Sequence, residues 1–164
     1  MTRAVLSLGS NLGDRIGYLR QAVAGLGGAV LAISAVYETR PWGVTDQPDF
    51  LNAVCVVADP ELDHWAWLRW AQRLEQLACR VRERRWGPRT LDVDVVTVDG
   101  IRSEDPELLL PHPGAASRAT VLIPWLDADP GAWLSGYGAV TDLLDGLDEA
   151  DREAVRRRDD LRLV

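Results

Sequence analysis

The run RERRWGPRTLDVDVVTV (residues 82–98) changes character at Leu91. Before it stand four arginines, at 82, 84, 85 and 89, around a Gly-Pro pair. After it, Asp92 and Asp94 alternate with Leu91, Val93 and Val95. A period of two is the mark of a strand with one apolar and one polar face. Residues 91–98 therefore read as a strand, and Asp99-Gly100 as a hairpin turn closing it.

The pattern extends outward from there. Upstream, Trp67, Trp70, Leu74, Leu77 and Val81 recur at spacings of three and four, an amphipathic helix with Trp67 and Trp70 in the core. Asp59-Pro60 reads as its N-cap and first-turn proline. FLNAVCVVA (50–58) and VLAISAVYET (30–39) are β-rich and joined by the Pro/Gly loop RPWGVTDQPD (40–49). Ile16, Leu19, Val23 and Leu26 form the stripe of a first helix, closed by Gly27-Gly28. RAVLSLGS (3–10) is a strand running into the turn GSNLGDR (9–15). The order β-α-β-β-α-β, followed by a helical C-terminal third, predicts an α+β fold. Its expected core is a ferredoxin-like βαββαβ sheet with helices packed on it. Arg156-Arg157-Arg158 is expected on a solvated helix face.

A chain of 164 residues with 47% hydrophobic and 26% charged residues supports one core, so residues 1–164 are expected to be a single domain. No apolar run reaches the roughly 20 residues that span a bilayer, and the N-terminus lacks a secretory h-region. Cys55 and Cys79 have neither zinc-ligand nor redox spacing. A cytoplasmic protein with reduced thiols is the expectation.

The net charge of −7 opposes broad nucleic-acid binding. Yet Arg69 to Arg89 holds seven arginines against Glu75 and Glu83, a local excess of five positive charges. That concentration suits a small, highly charged anion. The chain has no lysine, which excludes a Walker A loop and a lysine Schiff base or general base.

Residues two apart on a strand have Cα atoms about 6.5–7 Å apart on one face. Asp92 and Asp94 could simply be the solvent face of an edge strand, or they could converge on divalent cations that cancel their repulsion. The arginine loop beside them favours metal-nucleotide chemistry, because guanidinium groups hold phosphate through paired donors. Gln72 and Glu75, three apart on the second helix, face one way. Glu75 could pair with an arginine or bind a nucleotide. His112 is held rigidly between Pro111 and Pro113 and favours a functional role. His64 has no companions, and neither histidine pairs with a nucleophile by motif.

LGSNLGDR (8–15), DQPDFLNAV (46–54), RVRERRWGPRTLDVDV (80–95) and PHPGAASR (111–118) together closely resemble the 6-hydroxymethyl-7,8-dihydropterin pyrophosphokinase family, in its order and spacing, from about residue 3 to 130. The resemblance implies ATP-dependent pyrophosphoryl transfer to a pterin alcohol with release of AMP, in folate biosynthesis. It implies that Asp92 and Asp94 hold two magnesium ions, with Asp92 also beside the pterin. It implies that Arg80, Arg82 and Arg89 contact or close over the ATP phosphates, with Trp86 on the same loop. Gln72, Glu75, Val95, His112 and Arg118 match nucleotide-side positions; Thr39, Trp42, Phe50 and Asn52 match pterin-side positions. Gly9-Ser10-Asn11 would shape the turn beside the pterin. Small-molecule partners and a monomer are implied, without nucleic acid or membrane.

Two residues depart from the family pattern. Cys79 stands where glycine is usual, and Thr120 where a second aromatic ring normally closes the pterin slot. A two-metal nuclease and a non-catalytic nucleotide-binding domain are the rival readings; the charge balance opposes the first and the retained aspartate pair the second.

Overall fold

Phe50–Asp59 forms the longest strand, and its residues 53–57 are all buried, so apolar side chains point to both faces. A strand of that kind needs cover on both sides and belongs in the middle of a sheet. The computed structural model, which describes residues 2–40, 46–78 and 90–164, gives it that position.

The strands are β1 (Thr2–Ser10), β2 (Val30–Ile33), β3 (Tyr37–Thr39), β4 (Phe50–Asp59) and β5 (Asp92–Val98). Helix α1 (Arg15–Leu26) follows β1, and α2 (His64–Leu77) follows β4. Beyond β5 come the hairpin β6 (Ser103–Asp105) and β7 (Leu108–Leu110), α3 (Ala119–Ala128), the short pair β8 (Trp133–Leu134) and β9 (Gly138–Ala139), α4 (Val140–Asp145), α5 (Glu149–Glu153) and β10 (Arg156–Arg157). The main sheet runs β10-β3-β4-β1-β5, with β2 also on β4, and every pair is antiparallel.

Alternation along the strands divides two cores. On one face Leu6, Leu8, Ala53, Cys55, Val93 and Val95 pack with Leu19 of α1 and with Trp67 and Leu74 of α2. On the other, Val5, Val54, Val56 and Val96 pack with Leu122 and Trp125 of α3. Cys55 is a free thiol, and burial pushes its pKa up to about 12, so it is chemically inert at neutral pH. Among the described residues no helix is long and apolar enough to cross a membrane.

Several local expectations are corrected. Residues 30–39 are two strands instead of one. Ser34 exchanges hydrogen bonds with Val54, its N–H donating to the carbonyl and its Oγ accepting from the N–H, both at 2.9 Å. Asp127 then takes the Ala35 N–H at 2.7 Å, diverting the chain before β3. Asp59-Pro60 does not start α2, because Asp59 is paired with Thr2 as the last residue of β4. The N-cap is Asp63, whose carboxylate accepts from the Ala66 N–H at 2.8 Å. The buried stripe of α2 is Trp67, Ala71 and Leu74, continued by the buried cap residue Ala78, whereas Leu77 is 60% exposed. Trp70 is half-buried, stacked on Trp67 with centroids 5.5 Å apart.

Asp99-Gly100 does make a tight turn, with positive φ at both residues and Ile101 N–H donating to Val98 O at 2.7 Å. It does not open a hairpin on β5, since β6 pairs with β7 and His112 N–H takes the Val96 carbonyl at 2.8 Å. The C-terminal third mixes short helices with strands. Arg156-Arg157 is an edge strand on β3, not a helix face, because it pairs with Tyr37 and Glu38, and Arg156 and the residue after the strand, Arg158, reach the Glu38 carboxylate.

Trp67 is fully buried and donates its indole N–H to Thr2 Oγ1 at 2.7 Å. Trp67→Ala is expected to cost about 3–5 kcal/mol of stability through the cavity and the lost hydrogen bond to Thr2. Urea titration checks it; a loss below about 1 kcal/mol would mean the α2 contact does not organise the core.

Candidate active site

Seating β1 between β4 and β5 aligns side chains across three strands. Gly9 is opposite Asn52 on one side and Asp92 on the other, and Ser7 is opposite Val54 and Asp94. Directly opposed residues of an antiparallel sheet share a face. Asn52, Asp92 and Asp94 therefore lie on the same face as Val54, Val56 and Val96, which α3 covers. The helix begins only at Ala119, and beyond its N-terminal end the face is left open.

The opening is a cleft of about 100 Å³. Its walls are Ser7, Gly9, Thr39, Arg40, Phe50, Asn52, Asp92, Asp94, Arg118, Thr120 and Val121. A Cβ at Gly9 would come within 3.2 Å of Asn52 Oδ1 and 3.5 Å of the Phe50 ring, so glycine here lets both approach the strand. Asn52 Nδ2 donates to Thr39 Oγ1 at 2.8 Å, which holds the amide and leaves Oδ1 on the other side. Asn11 donates to Gln47 Oε1 at 2.7 Å and to Pro48 O at 2.9 Å, tethering the segment that leads into Phe50.

A second cleft, of about 220 Å³, is lined by Leu68, Val93, Asp94, Val95, Pro106, Glu107, Leu108, Leu109, His112 and Pro113. Asp94 borders both clefts. The strand that carries it is held from behind by α2, where Glu75 Oε2 accepts from the Val93 N–H at 2.9 Å. His112 Nδ1 accepts from the Gly114 N–H at 3.2 Å, so the neutral ring carries its proton on Nε2. Burial, then the Arg118 guanidinium, lower the His112 pKa, while Asp92 opposes them.

The expected residues are thus sorted by the fold. Thr39, Phe50, Asn52, Asp92, Asp94, Arg118 and Thr120 meet at the first cleft, and Asp94, Val95 and His112 at the second. Glu75 stands behind β5, and Gln72 accepts from Arg69 at 3.2 Å while lining neither cleft. Trp42, Cys79, Arg80, Arg82, Trp86 and Arg89 lie outside the described residues. Sequence reasoning missed Ser7, Arg40 and Val121. Ser7 was within reach, being two residues before Gly9 on a strand; Val121 had no local signal.

Among the described residues no group of three or more His, Cys, Asp or Glu could hold a metal unaided. Two carboxylates from one strand facing an open cleft fit magnesium, which takes oxygen donors and keeps ligand positions for water and phosphate.

Residues 5–130 match the family model described as 7,8-dihydro-6-hydroxymethylpterin-pyrophosphokinase (HPPK). A Mycobacterium tuberculosis protein named 2-amino-4-hydroxy-6-hydroxymethyldihydropteridine pyrophosphokinase is 48% identical, covering 95% of this chain and 89% of its own. A Methylorubrum extorquens protein of the same name is 44% identical, covering 94% and 99%. Among solved structures, a triple mutant of Plasmodium falciparum HPPK-DHPS superposes with a TM-score of 0.72 at 14% identity. It covers 95% of this chain and 46% of that one, a likeness of fold.

His112 carries a stability prediction. Unfolded, it takes up a proton near its ordinary value of 6.5; folded, only at lower pH. The unfolded state then binds more protons, so stability falls as pH drops through that window and is untouched above it. His112→Gln is expected to flatten part of the stability loss between about pH 7 and 5 in urea titrations. An unaltered slope would mean the imidazole protonates as easily folded as unfolded.

Proposed function

This chain belongs to the 7,8-dihydro-6-hydroxymethylpterin-pyrophosphokinase family, and from that premise we infer that it transfers pyrophosphate from ATP to 6-hydroxymethyl-7,8-dihydropterin. The products are the pterin diphosphate and AMP, and the reaction is a step of tetrahydrofolate biosynthesis. The observation that carries the reading is the position of Asp94 on the border of two clefts. A reaction between two small molecules needs two adjoining sites with the reacting groups at their junction.

The first cleft suits the pterin. Phe50 offers a ring face for stacking, and the Asn52 amide offers hydrogen bonds complementary to the amide and amino edge of the pterin. Thr39 fixes that amide, and Trp42 belongs to the same side by family resemblance. The second cleft suits the nucleotide, with Leu68, Val95 and Leu108 as apolar walls and the His112 Nε2–H as a donor. Gln72, Glu75, Arg118 and the loop residues Arg80, Arg82, Trp86 and Arg89 are assigned to ATP by the same resemblance; Arg80, Arg82 and Arg89 would neutralise phosphate charge. Gly9 and Asn11 shape the pterin end.

The pterin alcohol oxygen attacks the β-phosphorus, the bond to the oxygen bridging the α- and β-phosphates breaks, and the alcohol proton leaves to solvent. Positioning and charge neutralisation dominate such a transfer. Asp92 and Asp94 would hold two magnesium ions, whose chemistry when bound is to offset the phosphate charge. Nothing in the described site presents a general base to the alcohol, and the reading needs none.

We further read the β3-β4-β1-β5 order as a ferredoxin-like arrangement and residues 1–164 as one domain. The reading is of a cytoplasmic monomer acting on small molecules, with neither nucleic acid nor a membrane as partner. The deciding assay incubates the protein with ATP, magnesium and hydroxymethyldihydropterin and looks for AMP. No AMP above a pterin-free control would sink it.

Two substitutions probe the site. Asp92→Asn and Asp94→Asn are each expected to lower turnover at least about a hundredfold, several kcal/mol of barrier, with the urea midpoint nearly unchanged. Full activity at saturating magnesium would remove both carboxylates from the metal assignment. Thr120 lines the same cleft as Phe50 and stands where a second ring is usual in the family. Thr120→Phe should tighten pterin binding by about 0.5–1.5 kcal/mol in calorimetry. No gain would separate Thr120 from the ring.

A further inference from the structure

The C-terminal segment lies beyond residue 130, where the family match ends, and the chemistry above makes no use of it. It returns to the sheet all the same. Arg156 and Arg157 pair with Glu38 and Tyr37, and the Arg158 N–H donates to Val36 O at 2.8 Å. Leu161 and Leu163 then pack into the larger core, and Arg162 O accepts from Arg20 Nε at 2.7 Å.

Glu38 is the focus of this return. Its side chain is only 13% exposed, yet three guanidinium groups reach it. Arg15 Nη1 donates to Oε2 at 2.7 Å; Arg158 Nη1 and Arg156 Nη2 approach Oε1 at 3.0 and 3.4 Å. Burial alone would raise the Glu38 pKa, but Arg15 and then Arg158 outweigh it and hold the carboxyl below its ordinary range. Asp49 is drawn into the same group. Arg156 Nη2 donates to its carboxylate at 3.1 Å, and Arg15 Nη1 to its carbonyl at 2.9 Å.

The two acids sit one residue before two walls of the pterin cleft. Glu38 precedes Thr39, Asp49 precedes Phe50, and Thr39 and Phe50 are register partners. Asn52 hangs from Thr39 by its amide. The cluster therefore joins the ends of β3 and β4 that carry the ring-side residues. Side chains alternate along a strand, so Glu38 points to the face opposite Thr39 and cannot touch a ligand in the cleft. Its effect on a ligand must pass through the backbone of β3.

We propose that Glu38 is a positioning residue for the pterin, and that the C-terminal strand, through Arg156 and Arg158, is the brace that keeps it in place. The proposal rests on the reading that the first cleft takes the pterin. Asp92 and Asp94 lie on β5, at the other side of the sheet from β10, so loosening the brace should spare them and the second cleft.

The test uses the full chain and four variants: Arg156→Ala, Arg156→Ala with Arg158→Ala, Arg156→Lys and Glu38→Gln. The Arg156 side chain is 58% exposed, so its removal should leave folding intact. AMP release gives kcat and both KM values, and amide hydrogen exchange is followed over residues 37–39 and 50–52. Arg156→Ala should raise KM for the pterin roughly three- to fivefold and the double variant further, with kcat and KM for ATP within about twofold of wild type. Exchange over residues 37–39 should quicken, and Arg156→Lys should recover most of the pterin KM. Unchanged exchange, an unchanged pterin KM, or a parallel rise of both KM values with a fall in kcat would overturn the proposal. Arg156→Ala decides by itself if Glu38→Gln does not fold. A wild-type protein that releases no AMP would sink the functional reading, and this proposal with it.

Discussion

The register of β1 between β4 and β5 is the constraint on which the rest depends. Gly9 opposite both Asn52 and Asp92 sets which way every cleft-lining strand residue points. A slip of one residue would turn Asp92 and Asp94 into the core beside Trp67 and bring Val93 and Val95 to water. Each valine contributes about 1.5–3 kcal/mol by burial, and an unpaired buried carboxylate costs several more, so the register is strongly held. Glu75 adds to it by taking the Val93 N–H from the outer edge of β5.

That one face of the sheet serves two purposes. Where α3 lies on it, Val54, Val56 and Val96 form a dry core with Leu122 and Trp125. Where the helix has not yet begun, the same rows present Asn52, Asp92 and Asp94 to a cleft. The site is thus built on strands anchored in a packed core a few residues away, which is how side chains are held for chemistry that depends on positioning. The opposite face is a packed core that meets the second cleft only at its β5 edge, through Val93 and Val95. Cys55 is sealed in it as an inert thiol, and Glu38 gathers its arginines there.

Electrostatics complements this geometry. The net charge is −7 and the chain has no lysine, so the positive charge at the cleft comes from arginine. Arg40 and Arg118 stand on the cleft with the two aspartates, and Arg118 also helps keep His112 neutral. A neutral imidazole whose Nδ1 is occupied by Gly114 has a defined donor at Nε2, so His112 can serve as a directional contact without adding charge.

What could be read along the chain was what depends on neighbours in sequence. The strand at 91–98 follows from the alternation of Asp92 and Asp94 with valines, the first helix from the spacing of Ile16 to Leu26, and the turn from Asp99-Gly100. The aspartate pair and the run around His112 were legible for the same reason, since local spacing sets which side chains share a face. Other features depended on partners far away in the chain. Ser34 bonding to Val54 split one expected strand into two. Asp59 was claimed by Thr2 in the sheet, so the helix cap fell to Asp63. Arg156 and Arg157 became strand residues because Glu38, more than a hundred residues earlier, offered an edge and a carboxylate. The meeting of two clefts at Asp94 also belongs to tertiary structure. Residue order sets the faces of each element, but only packing decides which faces meet and where one is left open.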